Sequence, residues 1–266
     1  MRKWMIAVFL QILGLELVPA QPVLVVEGSI QIGNNTDPNP PIGSIRWSGF
    51  DFEVWNGVIW ASLTGNKEVG TVEDIDGNVY KTIRIGSQVW MVENLRVTKY
   101  RDNTIIDQIT NNTTWEALST GAWCWYTNDS NYDRPYGKLY NWYAVNTGRL
   151  CPSGWHVPTD AEWTNLTDFL GGLDIAGGKM KEAGTTHWIS PNTGATNESG
   201  FTGHPGGFRH FVGSFNSLGG FGYWWSRTES SSSYATQRSL SYIDGSIIRF
   251  NNDKRLGHSV RCLKDQ

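Results

Sequence analysis

The sequence has no excess of either charge: 22 lysines and arginines stand against 25 aspartates and glutamates in 266 residues. So mild a balance argues against a nucleic-acid partner, which calls for a basic footprint on the protein. There is no Gly-x-Ser-x-Gly, no phosphate-cradling glycine loop and no His-Glu-x-x-His, which removes the common hydrolase, nucleotide-binding and zinc-protease signatures. The five histidines (His156, His187, His204, His210 and His258) contain no pair at i,i+4 spacing, so no metal site is expected. Glu162 and Glu182 are a nominal acid pair, but nothing in the sequence brings them together. A fixed-period repeat is also missing.

Long apolar runs are missing except at the start. Arg2 and Lys3 precede a mostly apolar stretch from Trp4 to Leu15, and Val18-Pro19-Ala20 offers a small-residue cleavage site. That is the pattern of an export signal over residues 1–20. The run is short for a bilayer and is interrupted by Gln11 and Glu16, so no membrane span is expected. Without Arg2, Lys3 and Glu16, 20 basic residues face 24 acidic ones, a net charge of −4. The mature protein is expected to be secreted or held at the cell surface.

Cysteine is scarce, and in an oxidising compartment the three present allow one bridge and one left over. Cys124 sits in Ala122-Trp123-Cys124-Trp125-Tyr126, an aromatic setting that suits a buried, inert thiol. No basic residue adjoins it to lower its pKa. The expected bridge joins Cys151, in Cys151-Pro152-Ser153-Gly154-Trp155-His156-Val157-Pro158-Thr159, to Cys262, in Val260-Arg261-Cys262. If those thiols pair, the closed loop contributes roughly 4–5 kcal/mol in the chain-entropy account.

What is abundant is tryptophan, 14 residues, and glycine, 30. Large aromatics beside turn-permissive residues suit short strands and long, well-packed loops. Residues 21–66 read as a small β-rich module or linker: Gly33 to Pro41 has loop composition, and Asn56-Gly57 between aromatic alternations is a hairpin signal. The module is too small for a core of its own, so it is expected to pair with a neighbour or to form a homotrimer. It resembles the short β-rich modules that cap or link trimeric fibres of bacterial and phage surface proteins.

Residues 67–266 form the main domain. Turns are expected at Asp76-Gly77, Gly86-Ser87 and Asp244-Gly245. Capping boxes are expected at Thr113 with Glu116 and at Thr159 with Glu162. Strands are expected over Tyr223–Arg227, Thr236–Ile243, Ser246–Phe250 and His258–Leu263. Periodicity leaves Leu139 to Val145 open between helix and strand.

Several runs fall in order along this domain: Asp76-Gly77-Asn78-Val79-Tyr80, Trp90-Met91-Val92-Glu93-Asn94-Leu95, Tyr136-Gly137-Lys138-Leu139-Tyr140-Asn141-Trp142-Tyr143-Ala144, and Cys151 to Thr159 with Glu162-Trp163. Tyr223-Trp224-Trp225-Ser226 and Gly257-His258-Ser259-Val260-Arg261-Cys262 complete them. Together they resemble the Fibrobacter succinogenes major paralogous domain, a set of exported bacterial proteins. The resemblance implies an α+β, C-type-lectin-like head with short antiparallel sheets, two short helices and long loops, here preceded by the small β-rich module. That architecture is similar to the formylglycine-generating enzymes and to variable receptor proteins diversified by retroelements. In the latter the ligand face lies just before the last strand. The formylglycine-generating relatives use a reactive cysteine pair, whereas Cys262 has no second cysteine close by, so no enzyme activity is expected.

The tryptophans inside these motifs read as core; Trp188, outside them, is a ligand candidate. The polar C-terminal segment supplies the others: Tyr234, Gln237, Arg238, Tyr242, Arg249, Asn251, Asn252, Arg255 and His258. Such side chains offer contact area and adaptable hydrogen bonds. His156 reads as a hydrogen-bonded structural group. No cofactor is expected, although Thr127 to Asp133 has the oxygen donors for a structural calcium ion. The Glu-Pro-Asn and Trp-Asn-Asp signatures of sugar-binding C-type lectins are absent. The expected function is an exported, non-enzymatic adhesin or receptor-like protein that binds a polysaccharide or a protein. The alternatives are a structural cap of a trimeric surface fibre and an enzyme of the formylglycine-generating type.

Overall fold

The computed structural model describes residues 69–266 without a break and, before them, residues 37, 40–47, 52–55, 57 and 60–62. The export signal and most of the module up to residue 66 lie outside the described residues. The chain divides into two compact units, Met1–Lys67 and Glu68–Gln266.

In the first unit β1 (Ile45–Trp47), β2 (Phe52–Trp55) and β3 (Trp60–Ser62) form an antiparallel sheet in that order. Trp55 lies opposite Trp60, so β2 and β3 pair as the hairpin expected here.

The second unit is α+β. Its first sheet has the order β10-β16-β6-β5-β4, built from β4 (Val69–Glu73), β5 (Val79–Ile85), β6 (Gln88–Met91), β10 (Trp155–His156) and β16 (Leu263–Lys264). The unit therefore starts and finishes in one sheet. The turn after β4 forms where Asp76-Gly77 predicts it, because the Asp74 carboxylate organises it. Oδ1 accepts from the backbone N–H of Asp76 and Asn78, and Oδ2 accepts from the Tyr80 hydroxyl at 2.6 Å.

A second five-stranded sheet has the order β12-β11-β13-β14-β15: β11 (Gly206–Arg209), β12 (Phe215–Leu218), β13 (Phe221–Glu229), β14 (Tyr234–Ser241) and β15 (Ile247–Asp253). Its pairs are antiparallel except β11 with β13. Strand β14 is buried on both faces from Ala235 onward. A small third sheet joins β7 (Asp107–Gln108), β8 (Ala122–Cys124) and β9 (Leu139–Tyr140).

Helices are short: α1 (Asn112–Glu116), α2 (Asp133–Tyr136), α3 (Trp142–Asn146), α4 (Asp160–Phe169) and α5 (Leu173–Met180), the last two being the longest. Helix α4 has the predicted capping box, with Thr159 and Glu162 bonded reciprocally. Helix α1 is capped by Asn111, whose side chain accepts from Thr114 N, and not by Thr113. The ambiguous stretch from Leu139 is both things in turn, a two-residue strand and then a helix capped by Asn141. The strand expected over His258–Leu263 is shorter, because residues 258 and 259 are held by single bridges to Tyr140 and Trp224.

The Cys151–Cys262 disulfide is present, with Cα atoms 6.0 Å apart across a sequence separation of 111. It sits in a core with Tyr80, Met91, Trp142 and Trp225. A second core packs Trp90, Trp163, Trp224 and Phe201 with ring centroids 4.8–5.9 Å apart. These tryptophans are structural, as expected: Trp142 and Trp225 donate their ring N–H to the carbonyls of Ser226 and Tyr140. Fully buried cations fasten the loops to these cores. Lys181 Nζ donates to the carbonyls of Thr193, Ser241 and Asp244 at 2.7–2.8 Å. Arg261 lies between Phe201 and Trp224 and donates to Asn94 Oδ1 and to the carbonyls of Phe201 and Thr202.

Candidate functional site

Two distant segments meet at an open cleft of about 500 Å³. One is the end of β11 and the loop after it. Arg209 is fully buried there, its guanidinium 4.3 Å from the Trp115 ring centroid and its N–H groups bonded to the Ile109 and Thr110 carbonyls. Strand alternation then turns Phe208 to the other side, into the cleft. Gly207 makes the close approach to β12 feasible: it has φ +61°, and a Cβ there would lie 2.4 Å from the Asn216 carbonyl oxygen. The second segment is the turn after β15. Reciprocal backbone hydrogen bonds between Arg209 and Gly257, 2.8 and 2.9 Å long, dock the two together.

Phe208, His210, Phe211 and Tyr223 form the aromatic wall, and Tyr234, Asn252, Asp253 and Arg255 face them. Arg255 is rigid. It makes a two-point pair with Asp253, Nε to Oδ1 at 2.9 Å and Nη2 to Oδ2 at 2.6 Å, and its guanidinium lies 4.9 Å from the Phe211 ring centroid. Burial alone would raise the pKa of Asp253, but the bonds from Arg255 hold the carboxylate below its ordinary value. Tyr234 is about half exposed.

His258 closes the cleft at its base. It is 1 % exposed, stacked on Tyr223 at 5.3 Å and tilted against Trp225 at 4.5 Å. Neither ring nitrogen has a hydrogen-bond partner of good geometry; the Gly257 backbone alone comes near. Burial pushes its pKa down to about 3, and the Gly257 backbone only partly opposes this. The ring is therefore neutral near pH 7, with one donor and one acceptor unused.

Of the ten candidate ligand residues, the structure brings Tyr234, Asn252, Arg255 and His258 together at the cleft. The other six do not line it. Trp188 is 1 % exposed and donates its ring N–H to the Gly203 carbonyl, so it is an anchor and not a ligand platform. Gln237 is buried in β14. Arg238 is buried and Arg249 exposed, and both bond the Asp160 carboxylate at the start of α4. Tyr242 packs against Phe221, while Asn251 accepts from the Thr236 hydroxyl. The cleft residues outside the ten candidates are Phe208, His210, Phe211, Tyr223, Asp253 and Leu256. The aromatic cluster around His210 is a visible signal, but its approach to residues 252–258 needs the bridge at Gly257.

The sequence profile of the Fibrobacter succinogenes major domain matches residues 83–264. The chain belongs to this family. No curated protein and no solved structure matches it. The match covers the disulfide, every residue of the cleft and all the core residues named above except Tyr80.

Other groups in the family domain are committed to structure. His156 bonds Asp265 at 2.6 Å and Glu162 at 2.9 Å, the hydrogen-bonded role expected of it. In the candidate calcium loop, Asp133 is taken by Lys138 Nζ and the Trp125 ring N–H, and Asp129 accepts from Asn131 N. The Cys124 thiol is buried, and burial pushes its pKa up to about 12. Among the described residues, three metal-ligating side chains do converge elsewhere: Glu182, His187 and His204. No helix among the described residues is long and apolar enough to cross a membrane.

Proposed function

We propose that this protein is an exported, non-enzymatic binding protein whose cleft between residues 208–223 and 234–258 takes a polysaccharide. The observation that carries this reading is the base of the cleft, where a neutral, buried His258 has both ring nitrogens unsatisfied beneath aromatic walls. A buried polar group without a partner costs about 1–3 kcal/mol, and a ligand hydroxyl recovers that cost once the rings covering the two nitrogens move aside to admit it. Sugar rings present apolar faces to aromatic side chains and hydroxyls at their edges. The cleft offers the matching pair: the rings of Phe208, Phe211 and Tyr223, and the fixed polar groups of Asn252, Asp253 and Arg255. Few polar groups in a concave aromatic setting are the usual make-up of a small-ligand site.

The C-type-lectin-like resemblance supports the same location, since it puts the ligand face just before the last strand. The non-enzymatic part of the reading is supported by the cysteines: Cys262 is bonded to Cys151, and Cys124 is buried as the thiol. The disulfide also suits an oxidising, exported setting.

A polysaccharide and glycan array probed with the full chain tests the proposal. Binding is expected to one polysaccharide class, weakened at least about tenfold, 1.4 kcal/mol, in the Tyr234→Ala/Asn252→Ala double variant. An empty array with a protein captured through the same residues would replace the polysaccharide with a protein ligand. Binding that survives the double variant would move the site elsewhere.

A further inference from the structure

We propose that Glu182, His187 and His204 form a binding site for a zinc-class divalent transition metal ion, with three protein ligands and a fourth position open to water or an external donor. The fold brings them together from two segments. A parallel bridge between Lys181 and Gly203 puts Glu182 beside His204, sealed by the Glu182 N–H bond to the Gly203 carbonyl. The same carbonyl accepts from the buried ring of Trp188, which carries its neighbour His187 to the pair. Asn192 ties the connecting loop down by donating to the carbonyls of Glu182 and Gly184.

The hydrogen bonds assign the atoms. His204 Nδ1 lies 2.7 Å from the Pro135 carbonyl, which can only accept, so Nδ1 carries hydrogen. In the neutral ring Nε2 then presents a lone pair, and its polar neighbour is another acceptor, Glu182 Oε1 at 3.5 Å. Two acceptors turned towards each other are reconciled by a proton on Nε2 or by a metal ion between them, and the metal ion also engages the third side chain. His187 Nδ1 sits 2.9 Å from both oxygens of the same carboxylate, and the two imidazole centroids are 4.4 Å apart. All three ligand atoms lie within 4.8 Å of one another. Tetrahedral zinc with bonds of about 2.0–2.1 Å holds its ligands roughly 3.3 Å apart, so the set closes on an ion with small side-chain movements.

The surroundings fit such a site. The Pro135 carbonyl is the outer partner that fixes the tautomer and direction of a ligating histidine. The ring of Tyr136 walls one side, 5.7 Å from His187 and 6.4 Å from His204. The three ligand side chains are 18–26 % exposed, which leaves solvent a way in. Two imidazoles and one carboxylate select a borderline-soft ion over calcium, which takes oxygen donors. The pattern is invisible at the level of sequence because its spacings, five and seventeen residues, match no common metal motif.

The test is metal binding by the tag-free full chain after chelator treatment, with zinc, cobalt and calcium ions as probes. One zinc ion is expected to remain per chain after gel filtration, and cobalt is expected to give the intense visible bands of a tetrahedral site. Glu182→Gln and His204→Ala should each weaken zinc binding at least about 100-fold, beyond the range of outer-shell changes. Glu182→Gln is nearly isosteric and carries the test if His204→Ala disturbs the fold, as judged by circular dichroism. No zinc retained, zinc retained equally by both variants, or calcium bound as tightly as zinc would each overturn the proposal.

Discussion

Arg261 and His258 stand three residues apart on the same returning segment, and both are 1 % exposed. Their polar atoms have opposite fates. Arg261 packs against the Phe201 and Trp224 rings with donors met by a side-chain amide and two backbone carbonyls, although burial still lowers its pKa to about 9. His258 has equally close aromatic neighbours, its backbone is bonded to Tyr140, and its two ring nitrogens have no side-chain or backbone partner of good geometry. A buried polar group that is fully partnered fixes a fold; one left unpartnered at the base of a cleft is a place for something else to bind. The segment thus does two jobs within five residues, stapling the domain at Arg261 and Cys262 and opening it at His258.

The contrast can be broken from the stapling side first. Replacing both bridged cysteines, Cys151→Ser/Cys262→Ser, is expected to cost about 4 kcal/mol in a urea titration, because the closed loop is long. Arg261→Met should follow, with a loss of about 3 kcal/mol. It leaves the Phe201 and Thr202 carbonyls without this donor and the Asn94 amide oxygen with only the Trp224 ring N–H, while the methionine keeps contact with Phe201 and Trp224.

The His258 side predicts a pH effect and then a gain. Its pKa is about 3 when folded and 6.5 in the open chain. As pH falls through 6.5 the unfolded chain takes up a proton that the folded ring refuses, so stability is lost on acidification and is complete above that value. Between pH 7 and pH 5 this group alone should remove about 2 kcal/mol. His258→Phe should abolish that share of the acid sensitivity, measured as the difference between the two proteins at both pH values. At pH 7 the same variant should be as stable as the parent or more stable by about 1 kcal/mol, since it removes two unsatisfied atoms and keeps the ring stacking. A loss above 2 kcal/mol at pH 7 would mean that His258 staples the fold after all.

Much of the frame was legible in the sequence. Local turn and cap chemistry carried the turns at Asp76-Gly77 and Gly86-Ser87 and the start of α4, since a glycine with positive φ or a Thr-x-x-Glu box acts within four residues. The disulfide followed from a cysteine count and an exported setting. The site was legible by half. Tyr234, Asn252, Arg255 and His258 reach the cleft, but alternation along β14 and β15 could not tell Gln237 and Arg238 as inward-facing, because β14 is covered on both sides. Arg238 and Arg249 were drawn instead to Asp160, a partner 78 and 89 residues away. Trp188 looked free only because its acceptor, Gly203, is fifteen residues on. The approach of the wall from Phe208 to Tyr223 to the returning segment rests on long-range bridges, Arg209 with Gly257 and Trp224 with Ser259. No local pattern encodes it.

The central claim, that His258 waits for a ligand, is tested most directly by nuclear magnetic resonance of the protein with isotope-labelled histidine, titrated with a saccharide that the array selects. Saturable shifts of the His258 ring nitrogens, with His156 on the opposite sheet unmoved, are the result expected. Shifts at His156 or at no histidine, with the saccharide demonstrably bound, would contradict the account.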